Sequence, residues 1–313
     1  MRVAVLDIGS NTSKVLVVQK SNSEHFISLG EKSFPMRLLC GLAQKKPVLS
    51  IRTVEDVMDV IGKLIEFSSI FSPSITCVVG TEALRRIGNS SDLVFRIKKR
   101  FSVDLRILSG ESEAYLVAQG LLTDPRIIQM GSFSAIDIGG GSLEGIKVIN
   151  ELCDERFSLP LGAVFLAERF FKNITNCLSG SEINNLKKEV HSNLQKNGTS
   201  VLESTCNLVG TGGSMVFLRR IISSINNNKF EDENILEFDA IENVTKMIAV
   251  MDVKTRINAF PELPEGRADI FPAALLVILE IMKITNCKSI THSFHNLRYG
   301  VASKIISNPN YFG

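Results

Sequence analysis

The 313-residue chain has no tryptophan, only three tyrosines, and no Cys-x-x-Cys pair among its six cysteines. Zinc sites and disulfide frameworks depend on closely spaced cysteines, so the sequence indicates neither. Binding of single-stranded nucleic acid is not indicated, because aromatic residues are not interleaved with basic ones. Scattered cysteines are typical of reduced thiols, and we therefore expect a cytoplasmic protein.

The chain also has a small net charge, and its runs of apolar residues are short. A net charge of +2 gives little attraction for a DNA backbone, although it leaves room for a local basic cleft that binds a small or linear polyanion. The longest apolar run, at 270–282, contains Glu280 and is too short to span a bilayer. The first residues lack the pattern of a secretory leader. We expect no DNA partner and no membrane partner.

Two common nucleotide-binding motifs are absent. The chain has no Gly-x-x-x-x-Gly-Lys-Ser/Thr loop, and no Gly-x-Gly-x-x-Gly sequence opens a predicted helix. Neither a P-loop nor a dinucleotide-binding fold is therefore indicated. A hydrophobic content of 44% with 22% charged residues is typical of a globular protein, and the length fits two domains.

One glycine-loop pattern occurs twice. Residues 3–12 read Val-Ala-Val-Leu-Asp-Ile-Gly-Ser-Asn-Thr, and residues 133–142 read Phe-Ser-Ala-Ile-Asp-Ile-Gly-Gly-Gly-Ser. Each copy predicts a buried strand that ends in aspartate, a turn of small residues, and a second strand. Such a turn lets backbone N–H groups approach an anion. One copy alone is equally consistent with a chance β-turn, whereas two copies indicate similar lobes that face each other across a phosphate-binding cleft.

We call residues 9–12 the first glycine loop, residues 139–142 the second, and a further turn at 209–214 the third. Helices are predicted at about 53–69, 81–86, 92–101, 111–121, 163–171, 182–194, 215–225, 269–283 and 296–306. Strands are predicted at about 75–80, 104–108, 135–138, 145–149, 156–159 and 289–293. This alternation predicts an α/β fold with mixed sheets covered by helices.

The tripeptide Thr123-Asp124-Pro125 is a natural domain boundary. We expect an N-terminal lobe at 1–122, completed by a C-terminal helix near 300–313, and a C-terminal lobe at 123–299.

A series of short segments, ordered along nearly the whole chain, resembles the exopolyphosphatase / guanosine pentaphosphate phosphatase family. The segments are 7–11 (Asp-Ile-Gly-Ser-Asn), 80–85 (Gly-Thr-Glu-Ala-Leu-Arg), 108–114 (Leu-Ser-Gly-Glu-Ser-Glu-Ala), 137–142 (Asp-Ile-Gly-Gly-Gly-Ser), 158–162 (Ser-Leu-Pro-Leu-Gly), 210–214 (Gly-Thr-Gly-Gly-Ser), 266–269 (Gly-Arg-Ala-Asp) and 297–300 (Leu-Arg-Tyr-Gly). The resemblance implies two similar lobes of the actin-like ATPase / ribonuclease H-like fold that face a central cleft. It also suggests the short two-domain form of the family, for which we expect weaker processivity.

The resemblance also implies roles for particular residues. Glu113 corresponds to the catalytic base that activates the attacking water. Asp137 and Glu144 correspond to carboxylates associated with Mg²⁺ or Mn²⁺, which prefer oxygen ligands. The residues implied to bind substrate phosphate are Arg85, Arg267, Ser10, Asn11, Gly140, Gly141, Ser142, Gly212 and Gly213.

Without the resemblance, two of these residues can also be explained by ordinary structural roles. Glu113 is then more typical of an ordinary helix start, where the macrodipole favours a carboxylate, and only the resemblance reverses this. Arg85 is equally typical of a solvated helix face, particularly because Arg86 is adjacent and one of the two must point away.

Several positions depart from the family pattern. Leu143 stands where the family usually has threonine, Ser112 replaces a glutamate, and Asn296 occupies a position that is commonly glycine. Glu82 adds a carboxylate next to the Arg85 turn, where it either repels phosphate or faces solvent. These differences bear on substrate preference more than on the class of reaction.

We therefore expect a phosphoanhydride hydrolase, in a homodimer, that releases terminal phosphate from inorganic polyphosphate or guanosine pentaphosphate. The sequence does not decide between these two substrates. One alternative is a phosphate or nucleotide sensor that binds without turnover. Another is a small-molecule kinase of the same superfold, which would need an adenosine pocket and a base for a substrate hydroxyl. Neither feature is recognisable in the sequence.

Overall fold

A computed structural model describes residues 1–21, 26–38, 47–202 and 207–312. The chain divides into two compact units, Met1–Ile128 with His295–Gly313, and Gln129–Phe294. Each unit contains one mixed β-sheet with α-helices, so the α/β class expected from the sequence is confirmed.

The first unit begins with a hairpin and continues with alternating helices and strands. Its elements up to residue 128 are β1 (Arg2–Ile8), β2 (Thr12–Lys20), β3 (Phe26–Pro35), α1 (Ile51–Ser69), β4 (Ile75–Gly80), α2 (Glu82–Arg86), α3 (Ser90–Phe101), β5 (Leu105–Ile107), α4 (Gly110–Leu121) and α5 (Pro125–Ile128). The sheet order is β3-β2-β1-β4-β5. β1 pairs antiparallel with β2 and parallel with β4, and its apolar residues 3–6 are fully buried.

The second unit has the same opening arrangement. Its elements are β6 (Phe133–Ile138), β7 (Leu143–Ile149), β8 (Leu152–Leu159), α6 (Ala163–Phe170), α7 (Gly180–Asn197), α8 (Thr199–Leu202), β9 (Leu208–Thr211), α9 (Gly213–Asn226), β10 (Ile235–Glu237), α10 (Phe238–Ala249), α11 (Val253–Ala259), α12 (Glu265–Ala268), α13 (Phe271–Ile284) and β11 (Ser289–His292). The sheet order is β10-β11-β9-β6-β7-β8. β6 pairs antiparallel with β7 and parallel with β9, as β1 does with β2 and β4.

The last helix, α14 (Leu297–Ser307), returns the chain to the first unit and lies against α4. Gly120 of α4 and Gly300 of α14 allow the two backbones to touch. A Cβ added at Gly300 would overlap the carbonyl oxygen of Leu116, and one added at Gly120 would overlap that of Asn296. Only glycine permits this approach, so the pair fixes the distance between the helices.

α13 fills the core of the second unit, and its residues from Phe271 to Leu279 are all buried. In the described ranges, no helix has both the length and the apolar character needed to cross a membrane. The helix predicted at about 269–283 is present as α13, which begins two residues later at Phe271 because the short helix α12 precedes it. Pro272 is suited to the first turn of a helix, since its missing N–H needs no partner there.

Other boundaries differ slightly from the expected ones. α1 begins at Ile51 rather than 53, because Ser50 is the N-cap and accepts a hydrogen bond from the Thr53 N–H. The first unit extends to Ile128 rather than 122, and the chain rejoins it at His295. Thr123 belongs to this unit because its hydroxyl lies 2.7 Å from His295 Nδ1.

Candidate functional site

Three loops of the first unit follow neighbouring parallel strands. Ile8 at the end of β1 is paired with Gly80 at the end of β4, which is in turn paired with Ile107 at the end of β5. The carboxyl ends of parallel strands in α/β sheets form the edge at which ligands usually bind. The first glycine loop, α2 with Arg85, and α4 with Glu113 all start from this edge.

The first glycine loop is held by the segment that follows β3. The N–H groups of Met36 and Leu38 donate to the carbonyl oxygens of Asn11 and Ser10, each at 3.0 Å. The Arg37 side chain between them places Nε 3.5 Å from Asn11 Oδ1. Ser10 and Asn11 are both buried, so this part of the loop has a defined conformation.

Glu113 lies in the first turn of α4. Ser109 caps this helix by accepting a hydrogen bond from the Ser112 N–H at 3.1 Å. Glu113 is only 7% exposed, and its Oε2 accepts a hydrogen bond of 2.7 Å from Arg85 Nη1. The structure therefore brings Glu113 and Arg85 together, and Arg85 rather than Arg86 makes this contact.

The aspartates before the first and second glycine loops have different neighbours across the hairpin. Asp7 is opposite Lys14 in the β1–β2 pair, whereas Asp137 is opposite Glu144 in the β6–β7 pair. Burial raises the pKa of the Asp7 carboxyl, and the positive charges of Lys14 and Arg298 oppose that rise. A pair of facing carboxylates is thus present in the second unit, at the position where the first unit has a lysine opposite its aspartate.

Asp137 and Glu144 belong to a row of polar residues across the second sheet. Thr211 is aligned with Asp137 on one side, and Ser158 is aligned with Glu144 on the other. Glu144 is 1% exposed and accepts a 2.7 Å hydrogen bond from the Ser158 hydroxyl. Directly opposed residues point to the same face of a sheet with their Cβ atoms about 5 Å apart, so the two carboxylates are neighbours.

The second glycine loop is held by the first turn of α6. The N–H groups of Ala163 and Val164 donate to the carbonyl oxygens of Gly139 and Gly140, at 3.0 and 2.9 Å. The N–H groups in the first turn of a helix have no partner within the helix. Here they hold the loop carbonyl groups. Within the loop, the Gly139 N–H donates to the Ser142 carbonyl oxygen at 3.0 Å, so the amide groups that follow Gly139 are the candidates for contact with an anion.

The third glycine loop adjoins both Asp137 and Arg267. A Cβ added at Gly212 would overlap Asp137 Oδ1, and one added at Gly213 would lie 2.7 Å from Arg267 Nη2. The Arg267 guanidinium also lies over the Phe217 ring, 5.4 Å from its centre. Burial lowers the pKa of Arg267 to about 10, which still leaves it charged at neutral pH.

Within the described residues, no three His, Cys, Asp or Glu side chains form a group that could hold a metal ion. The Asp137–Glu144 pair provides carboxylate oxygens from two side chains. Mg²⁺ commonly binds one or two carboxylates together with water and substrate phosphate. The donor set therefore fits Mg²⁺ held jointly with a phosphate ligand.

Sequence reasoning missed Arg37, which adds a cation beside the first glycine loop. It also gave no role to the segment at 158–162, which contributes Ser158 to the polar row and leads into the helix that holds the second loop. Ser158 could have been found from its position opposite Glu144 once the β7–β8 hairpin was recognised. Arg37 could not, because its contact depends on the path of the chain after β3.

A family model described as the Ppx/GppA phosphatase family matches residues 17–308. Exopolyphosphatase 1 of Mycobacterium leprae is 30% identical over 165 residues, which cover 52% of this chain and 48% of the relative. Exopolyphosphatase 1 of Mycobacterium tuberculosis H37Rv is also 30% identical over 165 residues, with 47% of that protein covered. The chain spans about half the length of these curated relatives.

Solved structures match over nearly the full length. The Aquifex aeolicus member of the Ppx/GppA family has a TM-score of 0.82 and 21% identity, with 99% of both chains covered. An exopolyphosphatase from Cytophaga hutchinsonii has a TM-score of 0.86 and 22% identity, with 98% of both chains covered. These likenesses show that the fold is that of the Ppx/GppA structures.

Proposed function

Because the chain belongs to the Ppx/GppA phosphatase family, we propose that it is a phosphoanhydride hydrolase that releases terminal phosphate from inorganic polyphosphate, guanosine pentaphosphate or both. The observation that carries this proposal is the buried Glu113, whose carboxylate is held 2.7 Å from Arg85 at the edge of the first sheet formed by the carboxyl ends of its parallel strands. A carboxylate and a guanidinium so placed combine a proton acceptor with a phosphate-binding cation.

In the proposed reaction, Glu113 orients a water molecule and accepts its proton. The water oxygen forms a bond to the terminal phosphorus, and the bridging P–O bond breaks. The products are orthophosphate and a chain shorter by one phosphate, or guanosine tetraphosphate. Arg85 and the amide groups of the first glycine loop offset the negative charge on the phosphoryl oxygens.

Asp137 and Glu144 would hold Mg²⁺ in this proposal. When bound, the ion would neutralise phosphate charge and act as a Lewis acid. Their position beside the second and third glycine loops supports this assignment, since the loop amides and Arg267 suit a phosphate at the same place.

An assay of phosphate release tests the proposal. We expect Mg²⁺-dependent release from polyphosphate or guanosine pentaphosphate, little release from ATP, and none in excess chelator. Polyphosphate binding without any release would instead support the sensor. Transfer of phosphate from ATP to a small-molecule acceptor would support the kinase, and full activity in chelator would contradict the role of Mg²⁺.

Replacing Gly162 with alanine should weaken polyphosphate binding by about tenfold, which corresponds to about 1.4 kcal/mol. A Cβ at Gly162 would overlap the backbone of Gly140 and Gly141, and backbone cannot yield as a flexible side chain can. The second glycine loop would move away from α6. Dissociation constants for polyphosphate, measured together with melting temperatures, check this expectation.

Gly180→Ala is the matched control for this substitution. A Cβ at Gly180 would meet no atom within 4 Å, so binding and melting temperature should stay close to those of the wild type. If Gly162→Ala binds polyphosphate as tightly as the control does, the contact between loop and helix has no role in binding.

A further inference from the structure

Glu82 is the first residue of α2 and lies one helical turn before Arg85. Its Oε2 accepts a hydrogen bond of 2.8 Å from Arg85 Nε and also lies 2.8 Å from Arg85 Nη2. The carboxylate thus occupies the edge of the guanidinium formed by Nε and Nη2. The sequence left open whether Glu82 repels phosphate or faces solvent, and the structure places it in an ion pair.

The other terminal nitrogen of Arg85 has different partners. Nη1 donates to Glu113 Oε2 and to the Leu108 carbonyl oxygen, both at 2.7 Å. The side chains of Arg85, Glu82 and Glu113 are only 18%, 19% and 9% exposed. One guanidinium therefore lies between two carboxylates that water screens only partly.

We propose that Glu82 competes with substrate phosphate for Arg85 and so limits the affinity of the protein for polyphosphate. This inference rests on the proposed function, in which Arg85 binds phosphate. Parallel N–H groups on one edge of a guanidinium form the bidentate fork that binds phosphate. Because Glu82 occupies the Nε–Nη2 edge, a phosphate group must displace it, whereas the Nη1 contact with Glu113 can persist.

The competition makes Glu82 a determinant of substrate choice. A ligand displaces the carboxylate when it brings more negative charge to the fork than one carboxylate does. A terminal phosphoryl group that is part of a polyphosphate chain meets this condition, and further phosphates of the chain contact other donors. A monoanionic phosphodiester does not, so the ion pair favours linear polyanions with a terminal phosphate.

Substitution of Glu82 by glutamine tests this competition, because it removes the charge of the side chain and keeps its shape. Glutamine keeps the shape of the side chain but replaces a charge-assisted contact by a neutral one of about half the strength. We expect Glu82→Gln to bind inorganic polyphosphate about three- to tenfold more tightly than the wild type. Dissociation constants are measured in chelator, where the proposed hydrolysis does not occur, and the KM in Mg²⁺ should fall by a similar factor.

Glu111→Gln is the control for charge alone, because Glu111 is an exposed carboxylate in the first turn of α4. It removes the same charge near Glu113, and we expect less than a twofold change. The second control places Glu82→Gln in an Arg85→Ala background, in which the gain in affinity should disappear. Glu82→Asp, which shortens the reach to Arg85, serves as the test variant if melting shows that Glu82→Gln does not fold.

Three results would overturn the inference: unchanged or weaker binding by Glu82→Gln, an equal gain in Glu111→Gln, or a gain that persists without Arg85. The last two would show general repulsion rather than competition for the guanidinium. The binding measurements do not depend on turnover. A wild-type protein without phosphate release therefore defeats the proposed function, whereas equal dissociation constants defeat the role of Glu82.

Discussion

Replacing Glu113 with glutamine is expected to lower phosphate release from polyphosphate by about 10²–10⁴-fold, the usual loss when a general base is removed. Glutamine has nearly the same shape and can still accept a hydrogen bond from Arg85 through its amide oxygen. It cannot take a proton from water at neutral pH. The expected loss is therefore in kcat, while the dissociation constant for polyphosphate stays close to that of the wild type.

The matched control is Glu111→Gln, two residues earlier in the same turn, whose side chain is exposed. It should keep nearly full turnover, because it removes a carboxylate from α4 without touching Arg85. A Glu113→Gln variant with more than half of wild-type turnover would show that Glu113 is not the general base. A loss of the same size in both variants would indicate damage to the helix start rather than loss of a base.

The parts of the site that follow from local sequence were predictable. Strand, glycine loop and strand recur with the same spacing, so the hairpins around Asp7 and Asp137 could be read directly from the chain. The short apolar run at 75–80 also located β4, and the helical turn after it located α2 to within one residue. The sequence also placed Glu113 at a helix start, and the structure adds the cap, since the Ser109 hydroxyl accepts a hydrogen bond from the Ser112 N–H.

Contacts between distant segments were not predictable in the same way. The Arg85–Glu113 hydrogen bond exists because β4 and β5 are adjacent and parallel, a pairing that no local pattern specifies. β3 was missed because most of its residues are exposed and show no clear apolar alternation, so its pairing with β2 decides its structure. α10 was missed although Ile241, Val244 and Ile248 recur at helical spacing and are buried.

Replacing Gly300 with alanine should lower the free energy of unfolding of the first unit by about 1–3 kcal/mol, the usual cost of overpacking. Alanine favours the helical conformation by about 0.5–1 kcal/mol over glycine, so helix propensity alone predicts the opposite sign. Overpacking should win because the new methyl group would overlap the Leu116 carbonyl oxygen and lie 2.9 Å from the Gly120 nitrogen. Both atoms belong to the backbone of α4. Denaturant unfolding measures the change.

Gly62→Ala is the matched control, in the interior of α1 in the same unit. A Cβ at Gly62 would lie 3.5 Å from the Phe101 ring, an ordinary van der Waals contact. The free energy of unfolding of this variant should therefore rise by about 0.5–1 kcal/mol, because alanine has the higher helix propensity.

Gly300→Ala should also lower kcat, because a shift of α4 moves Glu113. A displacement of about 1 Å near the reacting groups can lower the rate by about 10²-fold. If Gly300→Ala is as stable and as active as Gly62→Ala, contact between α4 and α14 does not set the position of Glu113.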